Sequence, residues 1–153
     1  MKKVFLILIT LLLLSSSCFA AYWKWLGSNP NIGLFVDTSS IEFELSKDRK
    51  ITNRDRVYVW VKYVYDDSYA QKKHYPTGTK YAVSLEGFDL LRNKSIIQKS
   101  ALYNNDGDNI ANYPPSQRWE PIIPDTIASL VKDYLANYVP KHVEEIEQRT
   151  KGN

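Results

Sequence analysis

Residues 56–65, Arg-Val-Tyr-Val-Trp-Val-Lys-Tyr-Val-Tyr, restrict the folds open to this chain more than any other stretch. Their density of β-branched and aromatic residues, with polar Asn53-Arg54-Asp55 before and Asp66-Asp67-Ser68 after, predicts a strand. Side chains alternate along a strand. Val57, Val59, Val61, Tyr63 and Tyr65 therefore share one face, and Arg56, Tyr58, Trp60, Lys62 and Val64 the other. Neither set is plainly polar. Such a strand belongs inside a sheet with both faces covered, and what covers the second face becomes the functional question.

The first 20 residues are set apart as a targeting segment. Lys2 and Lys3 precede an apolar run from Val4 to Leu14, then Ser15 to Ser17, and Cys18-Phe19-Ala20 offers small residues where a signal peptidase reads. The run spans 11 residues, whereas a transmembrane helix needs roughly 20, and no second apolar run follows. Cleavage after Ala20 is expected, leaving an exported chain of 133 residues with a core of its own and no transmembrane segment. Cys18, the single cysteine, raises a competing reading as an acylated lipoprotein terminus. Ser15 stands where lipoprotein signals prefer Leu, and aromatic residues follow with no flexible tether, so the lipid anchor is the disfavoured reading.

Without Lys2 and Lys3 the 20 basic residues become 18 against 17 acidic ones, which implies neither nucleic acid nor an anionic membrane as partner. All 11 tyrosines and all 4 tryptophans fall after residue 20, a bias that suits sheet packing or a recognition surface.

Further strands are predicted at Tyr22–Leu26, Ile32–Asp37, Ile41–Leu45, Lys80–Asp89, Ser95–Tyr103 and Ile110–Tyr113, the last stopped by Pro114-Pro115. Ser46 to Asp55 reads as a charged loop, and Asp66 to Thr79 as the longest polar connection, a place where binding residues can lie. Ile127, Leu130, Val131, Tyr134, Leu135 and Tyr138 have the spacing of one buried helical stripe, with Asp125 or Thr126 to cap its start and Pro140 to limit its end. Residues 21–139 form the expected domain, and 140–153 a charged tail, frayed or with a short second helical turn, in which His142 is exposed.

No catalytic signature appears, and the expected domain works without cofactor or metal. Asp37-Thr38-Ser39-Ser40 is first a turn device, because short oxygen-bearing side chains bond neighbouring backbone N–H groups. Asn104 to Asn109 lacks the Gly and Glu positions of an EF-hand and reads as a hairpin turn around Gly107.

Several spaced features together resemble one family, the surface-adhesin protein E-like domains of Gram-negative bacteria. They are Trp25, the run Phe35-Val36-Asp37-Thr38-Ser39-Ser40-Ile41, Val57-Tyr58-Val59-Trp60-Val61, Phe88-Asp89, Tyr103 with Gly107, and Trp119-Glu120-Pro121-Ile122-Ile123-Pro124. The resemblance implies an α+β domain with an antiparallel sheet of about six strands and one C-terminal helix packed on one face. It also implies a periplasmic or cell-surface location, in a group whose best-known protein is a dimeric adhesin that binds host matrix components. One departure is that the family's Cys after Phe-Asp is here Leu90 and no Cys lies near Leu135, so its disulfide is missing. Such a crosslink contributes ~2 to 5 kcal/mol.

Three functional expectations follow. One is a non-enzymatic binding module contacting other proteins or a second copy of itself, with Tyr58, Trp60 and Lys62 from the two-faced strand and Lys72, Lys73 and Tyr75 from the long connection as candidate contacts. Another is an accessory envelope domain with no host ligand. The remaining one is a serine hydrolase using Ser39 or Ser40, His74 and one of Asp66, Asp67 or Asp89, which no sequence motif ties together.

Overall fold

The structure, a computed structural model, describes residues 21–46, 48 and 50–152. The expected signal peptide and Cys18 lie outside the described residues. Eight strands form one antiparallel sheet: β1 Trp23–Asn29, β2 Ile32–Asp37, β3 Glu42–Leu45, β4 Ile51–Tyr65, β5 Tyr81–Asp89, β6 Lys94–Tyr103, β7 Asn109–Tyr113 and β8 Glu120–Pro121. Their spatial order is β1-β2-β4-β5-β6-β7, with β3 continuing the β2 side of β4 and β8 pairing with β6. Three helices complete the fold: α1 Asp67–Lys72, α2 Ile127–Tyr138 and α3 Val143–Gly152.

β4 is the central strand. Its C-terminal half pairs with β2, from Ile32 opposite Tyr65 to Val36 opposite Val61. Its N-terminal half pairs with β3, Phe43 opposite Val57, so two short strands share one edge of a 15-residue strand. The turn between them is the Asp37–Ser40 motif. Asp37 Oδ1 accepts from the Ser39 N–H and hydroxyl, and Ser40 Oγ accepts from the Trp60 N–H at 2.9 Å, filling the gap where neither short strand reaches β4. β4 begins earlier than expected. Ile51 pairs with Leu45 and packs against the core, and polar Asn53, in register with Glu44, carries the strand on toward Arg56.

The two faces of the sheet differ sharply. Val57, Val59 and Val61 are fully buried and join Leu34, Val36, Phe43 and Phe88 in one core, roofed by Val131 and Leu135 of α2 and Ile146 of α3. α2 has the predicted span, and its Thr126 cap accepts from the Ser129 N–H. Leu130, assigned by spacing to the buried stripe, is instead 51% exposed, because the roofing contact of α2 is narrower than its apolar stripe.

The expected charged tail at 140–153 is corrected by α3, as is the expectation of a single C-terminal helix. A short 3₁₀ turn at Val139–Lys141 redirects the chain, and α3 then seals the β3 edge. Thr150 Oγ1 accepts from the Phe43 N–H at 3.0 Å, and Arg149 donates to the carbonyls of Thr38 and Ile41. Val143, Ile146 and Thr150 make one stripe at helical spacing, too narrow to stand out among five charged neighbours. His142 is half-buried rather than exposed, stacked on Tyr138 at 3.8 Å between ring centroids.

Strict alternation in β6 assigns Ile96 to the side of Leu102, opposite Ala101 and Tyr103. A bulge between Lys99 and Ile97 reverses this, and Ile96 lies against Gly87 and Tyr58. A Cβ on Gly87 would stand 2.6 Å from Tyr58 Cε1 and 2.9 Å from Ile96 Cγ2. Gly87→Val is therefore expected to cost ~1 to 3 kcal/mol by overpacking, read as a lower urea midpoint. An unchanged midpoint would show that the Tyr58 ring yields freely.

Candidate functional site

Opposite the helices, the second face of the sheet stays open along most of its length. Every odd residue of β5 from Tyr81 to Leu85 is half-exposed, whereas Ala82, Ser84 and Glu86 between them are buried. Register brings to this face Trp25 of β1, Phe35 of β2, Trp60, Lys62 and Val64 of β4, Val83 and Leu85 of β5, and Tyr103 of β6. Trp25 is 57% and Val64 37% exposed. Trp60 is half-buried, neither sealed by the chain nor surrounded by polar groups.

One end of this face is covered. The segment after β7 crosses it, β8 pairs with Lys94 and Ser95, and the Trp119 ring meets Tyr58 edge-on at 6.5 Å. Arg56 lies over Trp119 at 5.2 Å while its guanidinium binds Glu44 at 2.9 Å and Asp89 at 3.2 Å. At the other end Lys62 lies over Tyr81 at 4.2 Å, and Tyr81 stacks on Tyr103 at 5.0 Å. Between these ends, Ser40, Glu42, Tyr58, Trp60 and Leu85 line a shallow groove of about 310 Å³.

The six candidate contact residues fall into two groups. Tyr58, Trp60 and Lys62 share the open face. Tyr75 packs against Tyr65 at 5.3 Å and Tyr113 at 6.4 Å on the helix-bearing side, so it does not join them. Lys72 ends α1, and Lys73 lies 5.6 Å over the Tyr69 ring, which itself stacks on Tyr65. The long connection thus folds as α1 and a tyrosine-lined loop over the outer end of the valine face. Its Asp66 caps α1 by accepting from the Tyr69 N–H. Sequence reasoning missed that Trp25, Phe35 and Tyr103 share the face of Trp60. Their alternation was readable, but which strand lies beside which was not.

Beneath the valine face lies a buried polar pair. Glu86 is 5% exposed, and the Tyr63 hydroxyl donates to its Oε1 at 2.5 Å. Burial pushes the Glu86 carboxyl up to about 7, against the opposing effect of the Tyr63 hydrogen bond. Tyr63 is raised in turn, chiefly by burial and then by the Glu86 charge.

The serine hydroxyls are both used within the turn: Ser39 donates to Asp37 Oδ1 at 2.5 Å and Ser40 to the Asp37 carbonyl at 2.8 Å. His74 follows α1, beyond the far end of β4. Asn104 to Asn109 forms the β6–β7 turn, with Asn104 Oδ1 accepting from Asp106 N–H and Asp108 N–H. Among the described residues no cluster of three or more His, Cys, Asp or Glu could hold a metal, and no helix is long and apolar enough to cross a membrane.

The fold and its exposed side define an α+β domain that roofs one sheet face with helices and presents the other as an aromatic surface. It is similar to the solved structure of protein E from non-typeable Haemophilus influenzae, with a TM-score of 0.50 and 9% sequence identity over 90% of this chain and 94% of that chain. The chain therefore has a protein E-like fold, with eight strands and three helices where about six and one were expected. No protein-family model matches the sequence, and no curated protein matches it.

Proposed function

We propose that this chain is a divergent protein E-like domain, exported to the bacterial envelope or cell surface, that acts without catalysis by contacting other proteins through its open sheet face. The observation that carries this reading is the contrast across β4: valines wholly buried on one side, and a continuous half-exposed aromatic surface on the other. Contiguous apolar patches of that kind on soluble domains mark interaction sites, and Trp and Tyr at their centre supply most of the binding energy. Arg56 lies at the covered end of the patch, and Lys62 lies within it, in register with Phe35 and Val83.

The test immobilises residues 21–153 and exposes them in parallel to bacterial envelope extract, purified host matrix proteins and the free domain itself. Trp60→Ala serves as the control, because a half-buried indole outside the core can be removed with the fold checked by circular dichroism. The expected result is a saturable partner in one arm, weakened about tenfold or more by Trp60→Ala. Host matrix retention supports adhesion, envelope-only retention an accessory role, and self-retention a homodimer. Binding unaffected by Trp60→Ala would sink the reading.

A further inference from the structure

The middle of the open face sets two cations around an apolar floor. Register places Trp60 and Lys62 of β4 beside Leu85 and Val83 of β5, and these beside Lys99 and Ala101 of β6. Val83 and Leu85 are half-exposed and Lys99 is exposed, so the floor is open and the two lysines stand at its opposite corners. Strand spacing puts their Cβ atoms roughly 12 Å apart. Among the described residues neither lysine has a carboxylate partner. Lys62 lies over the Tyr81 ring at 4.2 Å, a contact that leaves its charge without a counter-ion. The carboxylates nearby are engaged elsewhere. Glu44 and Asp89 bind Arg56, Asp37 is buried in its turn, and Glu42, which has an interaction of its own within the chain, stands on β3, on the far side of β4 from Lys99.

We propose that this floor receives an acidic segment of a protein partner, its apolar side chains on Trp60, Val83 and Leu85 and its carboxylates paired with Lys62 and Lys99. The assignment rests on the open face being a binding surface and names the chemistry it selects. A wholly apolar segment would cover two ammonium groups and leave them without a counter-charge, which is costly. Carboxylates on the partner offset that cost and steer the encounter, and a basic partner would be repelled. The lysine stems add apolar cover at the corners while their ammonium groups reach the rim. From residue 21 onward the chain carries 18 basic and 17 acidic residues, so the positive field at this floor is local. A local field of two cations suits a segment with a few carboxylates, whereas a polyanion or an anionic bilayer needs a broad basic surface.

The experiment follows the tryptophan indole N–H resonances of residues 21–153 during titration with two synthetic peptides. One carries two glutamates seven positions apart, ~10.5 Å along a helix, with leucines between them, and the other has glutamine in place of each glutamate. Trp60→Phe identifies the relevant resonance. The expected result is a saturable shift of the Trp60 indole and an affinity about tenfold higher for the glutamate peptide at low salt, a preference that fades at roughly 1 M salt. Lys62→Gln combined with Lys99→Gln should remove that preference while leaving binding of the glutamine peptide within about twofold. Both lysines lie outside the core, and circular dichroism checks the fold of the double variant. Equal affinities for the two peptides, a preference that survives in the double variant, or no saturable binding of the glutamate peptide would overturn the proposal. Retention on phosphatidylglycerol vesicles without peptide binding would overturn it in favour of a lipid surface. In the capture assay, loss of partner with Trp60→Ala but not with the double lysine variant would leave the binding face standing and dispose of the acidic segment. Capture indifferent to Trp60→Ala would remove both.

Discussion

Replacing Glu86 by Gln is expected to flatten the pH dependence of stability and to make the domain more stable above neutral pH. The carboxyl is buried between Val59 of β4 and Ile97 of β6 by register, with the Tyr63 hydroxyl donating to it. Burial raises it from 4.5 to about 7, so the native state holds this proton more tightly than the unfolded chain does. Stability from this group is therefore fully present below about pH 4.5, declines as pH rises toward and through about 7, and then levels off. That difference amounts to ~3 kcal/mol, a large part of the 5 to 15 kcal/mol typical of a domain. Glutamine keeps an acceptor for Tyr63 and has no proton to lose. Urea unfolding of both forms between pH 4 and 8 should give converging midpoints at the acid end and a variant that is more stable at pH 8. Tyr63→Phe should steepen the decline, because the hydrogen bond it removes favours the ionised carboxylate. A pH slope surviving in the Glu86→Gln form would show that other groups carry it.

Removal of α3 should cost most or all of the fold. Ile146 is fully buried in the same core as Val57 and Phe43, and large-to-small changes at such positions cost ~2 to 5 kcal/mol. A chain ending at Val139 loses that side chain, the Thr150 acceptor for the buried Phe43 N–H, and the Arg149 donors to Thr38 and Ile41 together. The expected outcome is a truncated protein without cooperative thermal unfolding, and an Ile146→Ala form that unfolds cooperatively at markedly lower urea. Were residues 140–153 only a solvated tail, the truncated protein would melt within a few degrees of the full chain. Either result is read directly by circular dichroism.

Local pattern carried much of this architecture. The β4 alternation, the span and cap of α2, the β5 faces and the turn at Asp37–Ser40 all follow from side-chain spacing and short-range hydrogen bonding, which depend on neighbours in sequence. Where readings diverged, a long-range contact intervened. A bulge opposite β5 turned Ile96 over, the β3 hairpin drew Ile51 and the polar residues 53–55 into a strand, and the core recruited a helix half of whose residues are charged. The candidate contacts show the same division. Trp60 and Lys62 share a face because one strand presents them together, whereas the side on which Tyr75 packs is set by a loop that no local signal reveals.

By itself, then, the sequence determined that β4 has two unlike faces, because alternation along an extended chain is a property of the backbone alone. Only the tertiary structure decided which face the helices take and that Trp25, Phe35, Leu85 and Tyr103 extend the other into a continuous surface. Strand order and helix docking come from burying the most apolar area in three dimensions, and that sum runs over residues far apart in the chain.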